Sequence, residues 1–326
     1  MKSGDDCSPL KSLANSSEKA YNNIVCASAK MQVLKEEIIM ARKWGDRRDG
    51  KLLKKIDSMH YIMPLMYPNR CDNEAYMYER MDLTKTAVFL AEKNANNPEY
   101  KYTIFHVIVA AVVKTITLRP QLNRFIANYN LYQRNEVSAA FTIKKIFSDT
   151  GEEALAFIHT KPEDTFESIH QELFRQVSYV RHDGKDKSTE SMDALQKIPG
   201  FLKKGLGVGA RFLDRHGWMP KSVIATDPYQ SSVVLANLGS IKLSAGYHHL
   251  TNWGTTSVFC LVGERKMRRY DLEDGTFEMR DSIDLGLTID ERISDGFYCA
   301  RSLRLLKKLI ENPELLERPL SEGVDY

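Results

Sequence analysis

The stretch Asp290-Glu291-Arg292-Ile293-Ser294-Asp295-Gly296 joins two patterned segments near the end of the chain. Before it, the apolar positions of Ile283-Asp284-Leu285-Gly286-Leu287-Thr288-Ile289 alternate as they do in a β-strand. After it, residues 297–312 have the spacing of a helix, which ends before Pro313. The stretch therefore places a cluster of charged side chains at a strand-to-helix junction, where functional residues are often held.

The composition excludes several classes of protein. The 326 residues are 43% hydrophobic and 27% charged, which is typical of a globular protein. The formal net charge is +3 and no long block of like charges occurs, so nucleic acid is not an expected partner. No apolar run is long enough to cross a bilayer, and the N-terminus lacks the order of a signal peptide.

The cysteines indicate a reducing compartment. Their number is odd, none forms C-x-x-C, and none has a histidine at metal-binding spacing. Neither a disulfide framework nor a metal site is expected, and we predict a cytoplasmic protein. The five cysteines are Cys7, Cys26, Cys71, Cys260 and Cys299.

The order of predicted elements indicates one mixed domain. Residues 1–30 are polar and predict a flexible N-terminal segment, residues 31–320 form the domain, and residues 321–326 form a tail. The strongest helix is Thr103–Leu118, and Thr165–Val180 is a second one. Predicted strands include Tyr76–Leu83, Phe125–Tyr132, Val137–Phe147, Leu155–Thr160, Thr256–Val262 and Lys266–Leu272. This pattern predicts an α/β (α+β two-layer sandwich) fold with a mixed sheet flanked by helices.

Residues 198–223 have an unusual composition. Glycines alternate with large apolar residues, and basic residues are interleaved among them. Three interpretations stay open at this point: a lid or mobile helix pair over an acyl-chain pocket, a contact with a membrane surface, and an irregular surface insertion packed on the core.

Six motifs in order carry a resemblance to a known family. They are Trp44 with Arg47 and Arg48, Met81–Lys85, Arg119–Asn123, Asp164–Phe166, Ala236–Ser240 and Asp290–Phe297. Together they resemble the CoA-dependent acyltransferases typified by chloramphenicol acetyltransferase and by the catalytic domain of dihydrolipoyl acyltransferases. The resemblance covers residues 44–312. No lipoyl domain precedes the motifs, so we expect a divergent stand-alone member.

The resemblance implies a fold, an assembly and a reaction. The chloramphenicol acetyltransferase-like fold forms a homotrimer whose active site lies between subunits. The cosubstrate is acyl-CoA or an acyl carrier, with no tightly bound cofactor, and the acceptor is a hydroxyl, thiol or amine. In the family segment, H-x-x-x-D-G, the histidine is the general base, and a serine or threonine hydroxyl stabilises the oxyanion.

The chain departs from this pattern at two positions. Glu291 stands at the position of the histidine, and Ala236 at that of the oxyanion serine. A glutamate is the weaker base in water, although removal from water strengthens it. Alternatively, Glu291 forms an ion pair with Arg292 or Arg47.

Other residues could replace the missing groups. His248 and His249 are alternative bases, and on a strand their side chains would point to opposite faces. Ser231, Ser232 or Ser240 could supply the hydroxyl.

The resemblance also assigns structural and substrate-binding positions. Asp295 is expected to pair with an arginine, for which Arg47 is the candidate, and Gly296 to allow a tight turn. The predicted substrate-binding residues are Tyr247, Asn237, Ser240 and Trp253.

Two functions follow from these observations. The first is a CoA-thioester-dependent acyltransferase with Glu291, His248 or His249 as the base. The second is a catalytically inactive relative that acts as a ligand-binding or scaffold protein on the same fold.

Overall fold

The computed structural model describes residues 44–144, 153–182, 198–224 and 227–326. Gly45–Tyr326 forms one compact unit. The predicted N-terminal segment 1–30 lies outside the described residues. The helices are α1 (Ser58–Met66), α2 (Thr84–Asn94), α3 (Ile104–Leu118), α4 (Phe166–His182), α5 (Gly200–Arg215), the single turn α6 (Lys221–Ile224) and α7 (Gly296–Glu311). The strands are β1 (Gly50–Leu52), β2 (Glu74–Asp82), β3 (Arg124–Ala127), β4 (Asn130–Arg134), β5 (Val137–Lys144), β6 (Glu153–Thr160), β7 (Val233–Asn237), β8 (Val258–Val262), β9 (Lys266–Asp271) and β10 (Phe277–Asp290).

A seven-stranded mixed sheet is the centre of the domain. Its order is β2-β10-β8-β7-β5-β6, and β9 pairs with the first half of β10. The pairs β5–β7 and β7–β8 are parallel, whereas the others are antiparallel. The predicted fold class, a mixed sheet flanked by helices, is confirmed.

Helices cover one face of this sheet. Alternate residues of β10 from Ile283 to Ile289 are buried in the main core together with α3 and α7. Because side chains of a strand alternate between faces, the intervening residues of β10 belong to the opposite face. Helix α3 is buried along its length, with every residue from His106 to Ile116 in the interior.

The opposite face is crossed by residues 243–253, which have no regular secondary structure. The backbone of Gly246 lies directly on Gly286 of β10, and a side chain at Gly286 would collide with the Gly246 carbonyl. This close approach explains a glycine within an otherwise apolar strand. A second, smaller apolar cluster lies on this face and contains Ala140, Val234, Leu250, Phe259 and Leu261.

The predicted strand Phe125–Tyr132 is wrong, because the chain turns in its middle. β3 and β4 are separated by Asn128 and Tyr129, whose φ angles are 45° and 63°. Two successive positive φ angles define the type I′ turn that joins tight hairpins. Together with β1, these strands form a three-stranded sheet of order β1-β4-β3.

Residues 200–215 form the regular helix α5, so the interpretation as an irregular insertion is wrong for this part. None of the described helices is long and apolar enough to cross a membrane.

Candidate active site

The stretch Asp290–Gly296 runs from the end of β10 into α7. β10 ends at Asp290, a short 3-10 turn covers Glu291–Ile293, and α7 begins at Gly296. Two backbone hydrogen bonds hold the turn to neighbouring strands. Asp290 N–H donates to the Ser257 carbonyl at 2.9 Å, and Glu291 N–H donates to the Asn73 carbonyl at 2.9 Å.

A buried ion pair fixes the conformation of this turn. Arg292 donates from Nε to Asp290 Oδ1 at 2.8 Å and from Nη2 to Oδ2 at 2.7 Å. Both side chains are at most 1% exposed. The remaining nitrogen, Nη1, donates to the Tyr67 carbonyl at 2.9 Å. Because the ion pair is bidentate and the remaining Arg292 nitrogen is also hydrogen-bonded, the arrangement is rigid. Loss of either side chain would leave the charge of the other buried without a partner.

Arg70 joins the same network from a short 3-10 turn, Arg70–Asp72, that precedes β2. Its Nη1 donates to the Thr251 carbonyl at 2.6 Å and its Nη2 to the Gly254 carbonyl at 3.1 Å, while Nε lies 3.6 Å from Asp290 Oδ2. Burial lowers the pKa of Arg70, and the Asp290 carboxylate opposes this shift. Arg70 therefore ties the segment over the sheet to the end of β10. It lies in no recognisable motif, and sequence reasoning missed it.

Glu291 has a different environment from its two neighbours. It is exposed, and within the described ranges no hydrogen bond or ion pair engages its carboxylate. The alternative of an ion pair with Arg292 or Arg47 is wrong. Arg292 is occupied by Asp290, and Arg47 donates to Asp49 at 2.8 and 3.1 Å.

The expected pair between Arg47 and Asp295 is also corrected. Besides Asp49, Arg47 contacts Asp214, with its Nη2 at 3.6 Å from Asp214 Oδ1. Asp295 is exposed and caps α7, where its Oδ1 accepts a hydrogen bond from Tyr298 N–H at 2.7 Å. A carboxylate at this position satisfies a free backbone N–H and favours the positive end of the helix dipole.

Gly296 does not form the tight turn that the sequence suggested. Its φ is not in the left-handed region, and a side chain there would meet open space. The conformation of the turn comes from the ion pair and the cap instead.

His248 and His249 lie beside each other. Their rings stack with centroids 4.4 Å apart, and His248 stacks on Phe259 at 4.2 Å. The expectation of opposite faces is wrong, because residues 243–250 are not a strand. His248 Nδ1 lies 2.7 Å from the His249 carbonyl. Since a carbonyl only accepts, Nδ1 carries a proton in this arrangement, so Nε2 is the nitrogen that can accept a proton when the ring is neutral.

Tyr247 and Trp253 flank this histidine pair along the chain. The Tyr247 ring packs on Tyr76 with a centroid distance of 5.1 Å and is about half exposed. Trp253 Nε1 donates to Asp227 Oδ2 at 2.6 Å. Burial raises the pKa of Asp227, against the effect of this hydrogen bond. The indole N–H of Trp253 is therefore already occupied, whereas Tyr247 is accessible.

Asn237 and Ser240 form a closed turn at the end of β7. Asn237 Oδ1 accepts from Ser240 N–H at 3.3 Å, and Ser240 Oγ donates to the Asn237 carbonyl at 2.7 Å. Gly239 lies against the Gly263 carbonyl, where a side chain would not fit. Much of this motif thus has a structural explanation.

The two parts of the predicted site lie apart within one chain. Ile289 is in register with Val258, whereas Asn237 is in register with Val262. Four residues along β8 correspond to about 13 Å at the rise of a strand. Glu291 and the Ala236–Ser240 segment therefore lie at opposite ends of β8.

The hydroxyl groups near this face differ in availability. Ser231 and Ser232 are buried; Ser231 Oγ donates to the Pro228 carbonyl at 2.7 Å, and Ser232 Oγ accepts from Ser138 N–H at 3.0 Å. Thr288 Oγ1 is buried and has no hydrogen-bond partner among the described residues. Thr288 is in register with Phe259, on which His248 stacks. Sequence reasoning missed Thr288, because it is one polar residue in an alternating strand.

A polar cavity of about 70 Å³ lies beside the arginine network. That volume holds a few water molecules. It is lined by Asn69, Arg70, Tyr129, Arg215, Asn252 and Arg292, among others. Within the described part of the chain, no group of histidine, cysteine and carboxylate side chains has the geometry to hold a metal ion.

Residues 223–317 match the model of the 2-oxoacid dehydrogenases acyltransferase catalytic domain. No curated protein matches the chain in sequence. Among solved structures, the cubic core of the pyruvate dehydrogenase multienzyme complex aligns with a TM-score of 0.54 and 15% identity, over 82% of this chain and 94% of that one. Dihydrolipoamide acetyltransferase of Azotobacter vinelandii aligns with a TM-score of 0.54 and 14% identity, over 82% and 94%.

A probable dihydrolipoamide acetyltransferase from Listeria monocytogenes aligns with a TM-score of 0.53 and 16% identity, over 82% of this chain and 96% of that one. At such identities the structural likeness shows a shared fold, and the match over residues 223–317 adds the sequence evidence. The predicted resemblance is therefore confirmed: residues 223–317 are similar to the acyltransferase catalytic domain of the 2-oxoacid dehydrogenases, and the chain shares the fold of solved dihydrolipoamide acetyltransferases.

Proposed function

We propose that this protein transfers an acyl group from a CoA thioester to a hydroxyl, thiol or amine acceptor, at a site shared between copies in a homotrimer. The observation that carries the proposal is the matched stretch Asp290–Gly296, in which a buried ion pair lies beside the exposed carboxylate of Glu291, for which the described residues provide no ion-pair partner. We place the enzyme in the cytoplasm, a compartment that keeps thiols such as Cys71 reduced.

The reaction needs one base and no covalent intermediate. The acceptor attacks the thioester carbonyl, and its proton moves to the base as the new bond forms. The tetrahedral intermediate then collapses, the carbon–sulfur bond breaks, and the sulfur leaves as a thiol after the base returns the proton. Atoms and charge balance, with the base restored at the end.

Glu291 is the base that we propose, because its carboxylate has no competing partner among the described residues. In one chain this carboxylate faces water. A neighbouring copy that covers it would remove water and strengthen it. His248 is the second candidate, since Nε2 of its neutral ring can accept a proton.

The separation of the two site segments supports a shared site. Glu291 and the Ala236–Ser240 segment are at opposite ends of β8 in one chain. A second copy could bring its own Ala236–Ser240 segment to Glu291. One of the related structures is the core of a multienzyme complex, which is consistent with self-assembly.

The alternative is a non-catalytic relative that binds a ligand on the same fold. It is favoured by Ala236, which lacks a hydroxyl, and by the internal hydrogen bonds of Ser231, Ser232 and Ser240. A missing oxyanion donor commonly costs about a hundredfold or more in rate.

Thiol release from acyl-CoA tests the proposal. Acetyl-CoA, propionyl-CoA and longer acyl-CoAs would be combined with hydroxyl, thiol and amine acceptors. We expect acceptor-dependent release, with kcat lowered at least about a hundredfold by Glu291→Gln. Glu273→Gln, on an exposed turn, is the matched control and should retain the wild-type rate.

Three outcomes would change the assignment. Loss of activity in His248→Gln but not in Glu291→Gln would transfer the base role to His248. Thiol release from none of the acyl-CoAs would favour the non-catalytic alternative. Mixing inactive Glu291→Gln with inactive Asn237→Ala should restore part of the activity if each site takes residues from two copies; no recovery would contradict the shared site.

A further inference from the structure

Helix α5 is attached to the domain mainly at its C-terminal end. Asp214 is its buried residue, and its Oδ1 accepts a hydrogen bond from Gln230 Nε2 at 2.9 Å and lies 3.6 Å from Arg47 Nη2. Ala210 is half-buried, and all other residues of Gly200–Arg215 are exposed. The helix therefore leaves most of its circumference open to solvent.

The side that faces away from the domain is apolar. With 3.6 residues per turn, Phe201, Val208 and Phe212 lie opposite Ala210, which marks the attached side. They are 81%, 63% and 51% exposed, respectively. Further exposed apolar residues lie on one side of the helix, between this ridge and the attached side, namely Leu202, Leu206 and Leu213.

The other flank of the ridge is basic. Lys204, Arg211 and Arg215 are spaced so that they follow one side of the helix, and all are exposed. No carboxylate within the described ranges forms an ion pair with Lys203, Lys204 or Arg211. The acidic residue of the helix, Asp214, points inward to Arg47, so the solvent-facing charge is entirely positive.

The composition of α5 requires an additional source of stability. Gly205, Gly207 and Gly209 interrupt it, and a side chain at any of them would meet no atom within 4 Å. Glycine destabilises the interior of a helix, and this cost is accepted where close packing leaves no room for a side chain. Short helices also depend on the packing of their apolar face for stability. In α5 neither compensation is present among the described residues, which leave the apolar ridge uncovered.

We propose that α5 binds to the surface of an anionic lipid bilayer. Phe201, Val208 and Phe212 enter the boundary between headgroups and acyl chains, while Lys204 and Arg211 contact anionic headgroups. Trp218, 56% exposed just beyond the helix, lies at the interface, where tryptophan is favoured. The helix lies on the membrane and does not span it.

Charge complementarity favours lipid over a second copy of this chain. Pairing of two α5 ridges would bring two all-positive flanks together, and like charges repel at contact distance. An anionic bilayer covers the apolar ridge and neutralises the basic flank at once. This proposal does not depend on the chemistry of the active site.

Vesicle flotation of the full-length chain tests it. We expect binding to vesicles of phosphatidylcholine mixed with phosphatidylglycerol and little binding to phosphatidylcholine alone. Lys204→Glu with Arg211→Glu should lower the partition coefficient at least about tenfold. Phe201→Ser with Phe212→Ser should do the same through lost apolar burial. The matched control, Arg304→Glu with Lys308→Glu on exposed positions of α7, changes net charge equally and should retain binding.

Independent readouts exclude misfolding and self-association. The altered side chains are exposed, so the unfolding midpoint should stay at its wild-type value. Emission of Trp218 should shift to shorter wavelength with anionic vesicles, and Trp218→Phe should remove that shift. The proposal is wrong if the wild-type chain does not float, if the α7 control loses binding equally, or if the ridge variants change only the oligomeric state.

Discussion

Helices α3 and α5 are of nearly equal length and have opposite environments. Between His106 and Ile116, every residue of α3 is buried, whereas α5 buries Asp214 and exposes nearly all the rest. α3 is stabilised by the core on all sides, and α5 by contacts at one end. Among the described residues, the apolar side chains of α3 are therefore covered by the core of the domain, whereas those of α5 remain exposed.

Truncation of one apolar side chain in each helix should give the largest difference between the two helices in the free energy of unfolding. Ile108→Ala in α3 removes a fully buried side chain and should lower the free energy of unfolding by about 2–5 kcal/mol. The matched change Leu206→Ala, at a residue 49% exposed, should stay within about 0.5 kcal/mol. Denaturant unfolding measures both; similar losses would mean that α5 packs on the domain after all.

Acid should destabilise the protein through α3. His106 is buried near His170; burial lowers its pKa to about 3, and the neighbouring His170 adds to the shift. Its Nδ1 accepts a hydrogen bond from Thr103 N–H at 3.0 Å, an interaction of the neutral ring. The unfolded chain takes up this proton near pH 6.5. The contribution of His106 to the free energy of unfolding is therefore full above pH 6.5. It falls by about 1.4 kcal/mol per pH unit as the pH decreases towards 3.

The measurement is the free energy of unfolding as a function of pH. His106→Gln keeps an acceptor for Thr103 N–H but does not titrate, so its slope between pH 6.5 and 4.5 should be shallower than that of the wild type. Equal slopes would contradict the burial of a neutral His106.

Substitution of one lysine in each helix should give a smaller difference in the free energy of unfolding. Lys114 in α3 is fully buried, and its Nζ donates to the carbonyls of Leu315, Arg318 and Pro319 at 2.9, 3.2 and 2.9 Å. Lys114→Met leaves these carbonyls without a donor and should cost about 1–3 kcal/mol. Lys203→Met in α5 should change unfolding by at most about 0.5 kcal/mol. If Lys114→Met left the free energy of unfolding unchanged, water would have to replace the amine as the donor to these carbonyls.

Glycine replacement should give the smallest effect and the opposite sign. Gly207→Ala meets open space in α5 and should stabilise the helix by about 0.5–1 kcal/mol. Amide hydrogen exchange of residues 200–215 detects this local gain. Ala110→Gly in fully buried α3 should destabilise the whole domain instead. Unchanged exchange in α5 would indicate that its glycines are already stabilised by packing.

The sequence predicts those elements whose local pattern agrees with their packing. Thr103 and Pro120 delimit α3 in the sequence as they do in the structure, and the alternation before Asp290 predicts β10. The sequence of α5 leaves a helix and an irregular insertion both open, because its glycines interrupt the helical pattern. The β3–β4 turn is not predicted because Tyr129 adopts a positive φ, which the residue type does not indicate.

The candidate site is predictable as a segment but not as a set of contacts. Motif order locates Asp290–Gly296, but nothing in the sequence connects Arg70 with Asp290 across the fold. Arg47 was assigned to Asp295, although Asp49 is two residues away and is its partner. Pairing between charged residues depends on three-dimensional distance, which motif spacing does not supply.

The crossing of Gly246 over Gly286 has a consequence for how this surface can diversify. Because two backbones meet there, the height of the crossing segment above the sheet does not depend on the side chains at 247–249. The side chains at these positions can therefore be substituted while the backbone of the crossing segment keeps its position. The chemistry of this exposed surface can thus change while the contact between Gly246 and Gly286 is preserved.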